Sequence, residues 1–218
     1  MPSTRYQKIN AHHYRHIWVV GDIHGEYQLL QSRLHQLSFY PETDLLISTG
    51  DNIDRGPKSL NVLRLLNQPW FTSVKDNHEA MALEAFETGD GNMWLASGGD
   101  WFFDLNDSEQ QEAIDLLLKF HHLPHIIEII NDNIKYAIAH AYYPGDEYQF
   151  GKEIAESELL WPVDRVQKSL NGELQQINGA DYFIFGHMMF DNIQTFANQI
   201  YIDTGTPKSG RLSFYKIK

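Results

Sequence analysis

Apolar residues in this chain gather into short runs that stop abruptly at polar ones. Strand-like runs occupy 16–20 (HIWVV), 44–49 (DLLIST), 70–74 (WFTSV), 135–140 (KYAIAH), 182–186 (YFIFG), 201–203 (YID) and 211–217 (RLSFYKI). Helical spacing lies between the early runs. Over 26–37, Tyr27, Leu30, Leu34 and Leu37 fall on one face, and PKSLNVLRLLNQ (57–68) places Pro57 at a first helical position. A helix is expected over 78–88, and an amphipathic one over 107–121 with Asp107 or Ser108 as its cap. The first half thus reads strand, helix, strand, helix, strand, helix, and strands dominate after about residue 125. This order predicts an α/β (α+β) chain with two sheets packed face to face and helices outside. Residues 141–180 mix Pro144, Gly145, Pro162, Gly172 and Gly179 with charges, which suits loops beside a site better than a linker.

A chain of 218 residues, 42% of them hydrophobic, can bury a full core, and one domain over 1–218 is expected. The first twenty residues carry Arg5, Lys8, His12, His13, Arg15 and His16 rather than an apolar core. No run approaches the roughly 20 apolar residues that span a bilayer. The expectation is a soluble, unprocessed, cytoplasmic protein without a membrane partner. The chain has no cysteine, so any metal must be held by His, Asp, Glu or Asn. The net charge of −12 and the absence of a Lys/Arg block argue against nucleic acid. An anionic substrate would have to be attracted locally, by metal ions and one or two arginines.

The runs end in a recurrent way. WVV is followed by Gly21, Asp22 and His24, and LLIST by Gly50, Asp51 and Asp54. WFTSV is followed by Asn77 and His78, YAIA by His140, and YFIFG by His187. Each residue has an ordinary reading as a turn, a cap or a packed histidine. Five recurrences at strand ends are better explained by convergence, because ligand sites in α/β sheets collect at the carboxyl edge. Asp22, His24, Asp51, Asn77, His140 and His187 are oxygen and imidazole donors of the kind that suits manganese, iron or zinc. Six donors exceed what one open catalytic ion needs. They suffice for two ions about 3.5–4 Å apart with a bridging carboxylate, for which Asp51 is the central choice. The other histidines, His12, His13, His16, His35, His121, His122 and His125, read as surface or packing residues.

The motifs GDIHG, GDNIDRG and NHE, followed by AHA and FGH, occur here in the order and with the spacing of the calcineurin-like metallophosphoesterases. The chain resembles PPP-type serine/threonine protein phosphatases, above all the compact bacterial and bacteriophage enzymes. The likeness continues through WLASGGDWF (94–102), LLW (159–161) and YIDTG (201–205). It implies a four-layer αββα sandwich with metals at the carboxyl strand ends, and two divalent ions, often Mn²⁺. The implied reaction is hydrolysis of phosphoserine, phosphothreonine and sometimes phosphotyrosine on proteins or peptides, by direct attack of a metal-bridging hydroxide. By resemblance, Asp22, His24 and Asp51 hold the first ion, and Asp51, Asn77, His140 and His187 the second. His78 takes the general-acid position, with Asp54 orienting it. Arg55 binds phosphate oxygens in a fork. Glu79 is expected to be a helix N-terminal acid.

The chain departs from the family pattern at three places. Asp76 stands where the family has a glycine, which adds a carboxylate beside a metal ligand. Val163 replaces the first arginine of a Trp-x-Arg-x-Arg pattern. HAYY and GHMM enlarge the side chains next to His140 and His187. Pro162 disfavours a helix continuing from 152–160, so 163–165 is expected to be extended, with Arg165 reaching the phosphate in place of residue 163. Two rival functions follow from the same motifs: hydrolysis of a dinucleoside polyphosphate, and a weakly active relative that binds phosphoproteins.

Overall fold

The central strands are buried almost throughout, and their side chains alternate between two covered faces. The computed structural model describes residues 4–218. Its strands are β1 (Tyr6–Asn10), β2 (Ile17–Val20), β3 (Leu45–Ser48), β4 (Phe71–Ser73), β5 (Ile126–Asn131), β6 (Ile134–Ile138), β7 (Tyr182–Phe185), β8 (Gln194–Phe196), β9 (Gln199–Tyr201) and β10 (Phe214–Lys216). Its helices are α1 (Tyr27–Gln36), α2 (Ser59–Leu63), α3 (Asn77–Thr88), α4 (Asn92–Ala96), α5 (Asp107–Lys119), α6 (Ser157–Leu160), α7 (Asp164–Leu170) and α8 (Thr206–Ser209).

The strands form a six-stranded sheet, β1-β5-β6-β7-β9-β8, and a four-stranded one, β10-β2-β3-β4. Ile17, Val19 and Ile47 of the small sheet meet Ile127, Ile138 and Ile184 of the large one in a shared core. The intervening residues point outward. Val20 and Leu46 pack against Leu30 and Leu34 of α1 and Val62 of α2, while Phe183 and Phe185 pack against Leu159 and Leu160 of α6 and Val166 of α7. Both faces of each sheet are therefore covered, which explains why the runs read as nearly continuous apolar stretches. The helix–sheet–sheet–helix order agrees with the expected sandwich. A further core joins α2, α3, α4 and α5 through Leu63, Met81, Trp94 and Leu116. Strands β2, β3 and β4 run parallel to one another, as do β6, β7 and β9, so their carboxyl ends share an edge in each sheet. Among the described residues no helix is long and apolar enough to cross a membrane.

Several local expectations change. Strand β1 gave no apolar signal because it is an edge strand, paired in parallel with β5 alone, in which only Ile9 packs on the shared core. Helix α2 starts at Ser59 after Lys58, two residues past Pro57. Asn106, not Asp107 or Ser108, caps α5, and it forms a reciprocal capping box with Glu109. The segment at 163–165 is not extended. Val163 caps α7 and Arg165 lies in its first turn, so the two side chains diverge by about 200° around the helix. Pro162 ends α6 and allows a new helix to begin.

Candidate metal centre

The carboxyl ends of β2, β3, β6 and β7 and the start of α3 deliver Asp22, His24, Asp51, Asn77, His140 and His187 to one place. Among the described residues nine non-glycine residues have positive φ, and five of them are His24 (45°), Asp51 (46°), Asp54 (72°), Arg55 (65°) and His187 (64°). Left-handed backbone is unfavourable for such residues, and its concentration here marks a functional site. The approach of the strands is close. A Cβ at Gly186 would collide with Asp22 Oδ1 and Thr49 Oγ1, and the backbone N–H of His187 donates to Asp22 Oδ2 at 2.9 Å.

Hydrogen bonds fix which imidazole nitrogen is available. His24 Nδ1 donates to the Ile53 carbonyl at 2.9 Å, and His140 Nδ1 to that of Thr49 at 2.8 Å. Each Nε2 is thereby left with a lone pair. Around His140 Nε2 lie Asn77 Oδ1 at 2.6 Å, His187 Nδ1 at 3.1 Å and Asp51 Oδ1 at 3.4 Å. Burial pushes His140 well below the ordinary histidine range and His187 down to about 4, so both are neutral near pH 7. Lone pairs thus face one another with no proton to share, and Asp51 Oδ1 has no hydrogen-bond partner. A cation is the group that such a donor set fits.

Asp51 divides its oxygens between two clusters. Oδ1 faces His140, while Oδ2 lies 3.4 Å from His24 Nε2 and 3.8 Å from His78 Nε2. Among the described residues the combinations able to hold an ion, His24–Asp51–His78, Asp51–His140–His187 and Asp51–Asp76–Glu79, all share this one carboxylate. Burial pushes Asp51 up to about 7. Burial, then the nearby carboxylates of Asp203 and Asp51, raise Asp22 well above its usual range. Two buried carboxylates that resist ionisation are what a cation would relieve.

His78 differs from the other imidazoles of the site. Burial works to lower its pKa, but Asp51 and Asp54 outweigh burial and the net direction is up. Its Nδ1 donates to Asp54 Oδ2 at 2.6 Å. Asp54 is fully buried, and its Oδ1 accepts from the indole N–H groups of Trp94 at 3.0 Å and Trp101 at 2.7 Å. The Arg55 guanidinium spans the mouth of the site, with Nη1 2.8 Å from His24 Nε2 and Nη2 3.0 Å from His78 Nε2.

Arg165 is not brought to this site. Its Nη2 donates to the Gly145 carbonyl at 2.7 Å and to Asp146 Oδ1 at 2.9 Å, and Nη1 to Gln175 Oε1 at 3.4 Å. The expectation of a relocated phosphate clamp is corrected, since the helical turn at 163–165 aims this arginine at the loop after His140. Glu79 is the expected helix N-terminal acid, in the first turn of α3. It is buried and accepts from the backbone N–H and the side-chain amide of Asn52. Sequence reasoning gave Trp94, Trp101, Thr49 and Asp203 no role. The paired tryptophans around GGD were visible, but nothing in the sequence aimed them at Asp54.

Residues 15–190 match the calcineurin-like phosphoesterase family. The chain is 94% identical to serine/threonine-protein phosphatase 2 of Escherichia coli (strain K12) over 218 residues, which is all of both chains. It is 42% identical to serine/threonine-protein phosphatase 1 of Salmonella typhimurium over 217 residues, covering 100% of this chain and 99% of that one. A symmetrical bis(5'-nucleosyl)-tetraphosphatase of Erwinia tasmaniensis matches at 57% identity over only 49 residues, 22% of this chain. A protein serine/threonine phosphatase structure from Saccharomyces cerevisiae shares the fold, with TM-score 0.62 and 17% identity over 92% of this chain and 70% of that one.

Proposed function

This chain belongs to the calcineurin-like phosphoesterase family, and we propose that it hydrolyses phosphoserine and phosphothreonine monoesters of proteins with the help of two divalent ions. The observation that carries the chemistry is the converging, proton-free donor set around His140 Nε2 together with the divided Asp51 carboxylate. The full-length likeness to two serine/threonine-protein phosphatases supports the substrate class, whereas the tetraphosphatase matches cover between 22% and 57% of the chain.

In this reading Asp22, His24 and Asp51 hold one ion, and Asp51, Asn77, His140 and His187 the other. When bound, such a pair supplies Lewis-acid activation of water and of the phosphoryl group, and manganese suits the mixed oxygen and imidazole donors. The protein's own groups do the rest. Arg55 turns its fork from the two imidazoles to phosphate oxygens, where five donors in a plane fix the ester for in-line displacement. His78 Nε2 gives its proton to the leaving serine or threonine oxygen, while Nδ1 stays bonded to Asp54. Asp54 cannot swing away, because its other oxygen is held by two indoles. No side chain here is poised as a nucleophile toward phosphorus, which favours a single displacement without a phosphoenzyme.

The test uses metal-free protein reconstituted with manganese and assayed on p-nitrophenyl phosphate, on phosphoserine, phosphothreonine and phosphotyrosine peptides, and on a dinucleoside tetraphosphate. Two ions per chain by elemental analysis, and turnover of the phosphoserine and phosphothreonine peptides, are expected. Faster turnover of the tetraphosphate than of any peptide would overturn the substrate class. Saturation at one ion would overturn the dinuclear reading.

A further inference from the structure

Seven arginines stand against 29 acidic residues in this chain, and most are occupied. Arg15 is bonded to Asp44, Arg64 to Glu112 and Arg165 to Asp146, and Arg55 belongs to the metal centre. Arg33 and Arg211 are different. Among the described residues no carboxylate comes within ion-pair distance of Arg33. Its Nη1 donates to the neutral Gln36 at 2.8 Å, and its Nε is buried with no partner. Arg211 meets only Asp191, at 3.4 Å, and the Asp191 side chain is 95% exposed, so water and salt screen that pair.

Both arginines line one groove of about 420 Å³, whose apolar walls include Leu29, Leu212 and Phe214. The Arg33 guanidinium lies 5.9 Å from the centre of the Phe214 ring. The groove is lined by none of the metal-centre residues, but the elements that form it lead away from that centre along the chain. Helix α1 begins just past His24, residues 191–193 follow His187 on the loop after β7, and Arg211 precedes β10, whose start pairs with the carboxyl end of β2. Thr204, also in the lining, follows Asp203, a carboxylate that lies in the fields of both Asp22 and Arg55. Thr206 Oγ1 ties the same loop to the Asp22 carbonyl at 2.7 Å. A peptide whose phosphate sits at Arg55 would therefore pass over this groove with a neighbouring residue.

We propose that the groove between α1 and the loop before β10 seats an acidic side chain of the phosphoprotein, next to the phosphorylated residue, with its carboxylate on Arg33 and Arg211 and its stem against Leu29 and Phe214. The proposal rests on the phosphoprotein reading and extends it to sequence preference. Charge complementarity carries it: two cations without close buried counter-ions, one with an unpartnered buried N–H, line a groove next to the 203–206 loop of an otherwise acidic protein.

The experiment is a scan of one phosphothreonine peptide, with Glu, Ala or Lys placed at successive flanking positions. Each peptide is turned over by manganese-loaded wild type, by the double variant R33Q/R211Q and by R33E/R211E, at low and high salt. At one position Glu should raise kcat/KM roughly 5–10-fold over Ala, through KM. R33Q/R211Q should remove that preference, R33E/R211E should turn it toward Lys, and turnover of p-nitrophenyl phosphate should stay at the wild-type value in both. A flat scan with wild type overturns the proposal, as does an acidic preference that survives in R33Q/R211Q. Should the double variants fail to fold, the single R211Q variant and the salt sensitivity of the wild-type preference decide by the same criteria. If p-nitrophenyl phosphate is hydrolysed and no phosphopeptide is, the phosphoprotein reading fails, and the groove reading fails with it.

Discussion

Trp101→Phe isolates the least expected feature of the centre, the pair of indoles behind Asp54. Trp101 Nε1 donates to Asp54 Oδ1 at 2.7 Å, and the carboxylate is fully buried, so no water can replace the lost donor. A hydrogen bond to a charged group contributes about 1.5–3 kcal/mol. The smaller ring leaves a void that adds about 1 kcal/mol, since Trp101 is only 9% exposed and packs edge-on against Trp94 at 6.3 Å. The variant should therefore be about 2.5–4 kcal/mol less stable and melt roughly 5–15 °C lower for a chain of this size. Trp94 still holds Asp54 at 3.0 Å, so the dyad with His78 loosens without coming apart. Loosening the group that orients the acid should lower kcat on phosphoserine peptides by roughly tenfold. It should lower kcat on p-nitrophenyl phosphate by much less, because that leaving group hardly needs a proton. Near-ultraviolet circular dichroism gives the melt, and steady-state kinetics on the two substrates give the ratio. A lowered melting temperature with an unchanged ratio would reduce the indole to a packing residue. No change in either would mean that the hydrogen bond contributes nothing.

Other perturbations probe the same centre and its supports. His78→Asn should keep two ions by elemental analysis while slowing phosphopeptides by roughly 10²–10⁴-fold and activated aryl phosphates less; an equal loss on both would remove His78 as the acid. Arg165→Ala should cost about 2–3 kcal/mol in urea unfolding, through the lost bonds to Gly145 and Asp146, with KM for phosphopeptides changed less than about twofold; a large rise in KM at full stability would restore Arg165 as a substrate contact. Glu156 is held down from 4.5 to about 2 by its hydrogen bond from His125 and by Lys75. Its folded pKa is depressed, so its contribution is complete above pH 4.5 and disappears as pH falls toward 2. The full shift would amount to about 3 kcal/mol, and exposure of a third of the side chain cuts this to about 1–2 kcal/mol. Glu156→Gln should therefore lose less stability than wild type between pH 6 and pH 3 by about 1 kcal/mol, the rest of the difference appearing only below pH 3; parallel curves would show that the Lys75–Glu156–His125 contact is unimportant.

The strand ends were legible because two signals coincide there. An apolar run buried on both faces cannot continue through Asp or His, so the change from Val20 to Asp22, or from Phe185 to His187, marks both the strand end and the donor. The layered sandwich followed from the same runs. What escaped the sequence depended on partners distant along the chain. Arg165 follows a proline that could as easily open a helix as continue an extended segment, and its target, Gly145, lies twenty residues back. Strand β1 is mostly polar because an edge strand with one neighbour needs only one apolar face. Trp94 and Trp101 look like core residues, and they are; only their placement beside Asp54, at least forty residues away, turns their N–H groups toward its carboxylate.

Asp76, which departs from the glycine expected from the family resemblance, has a structural role of its own. Added charge beside a metal ligand would be expected to repel a phosphate. In the fold, Asp76 is instead the cap of α3, its Oδ1 accepting from the Glu79 backbone at 2.9 Å, and it is completely buried. Burial, then Glu79 and Asp51, push its pKa well above the usual value. Its bulk falls elsewhere. A Cβ at Gly50 would collide with Cβ of Asp76 and crowd Nδ1 of His140, and Gly50 has a φ of +102°. Position 50 must therefore be glycine for two reasons, conformation and space, and only with that glycine can Asp51 turn back from β3 with its carboxylate shared between the two halves of the centre.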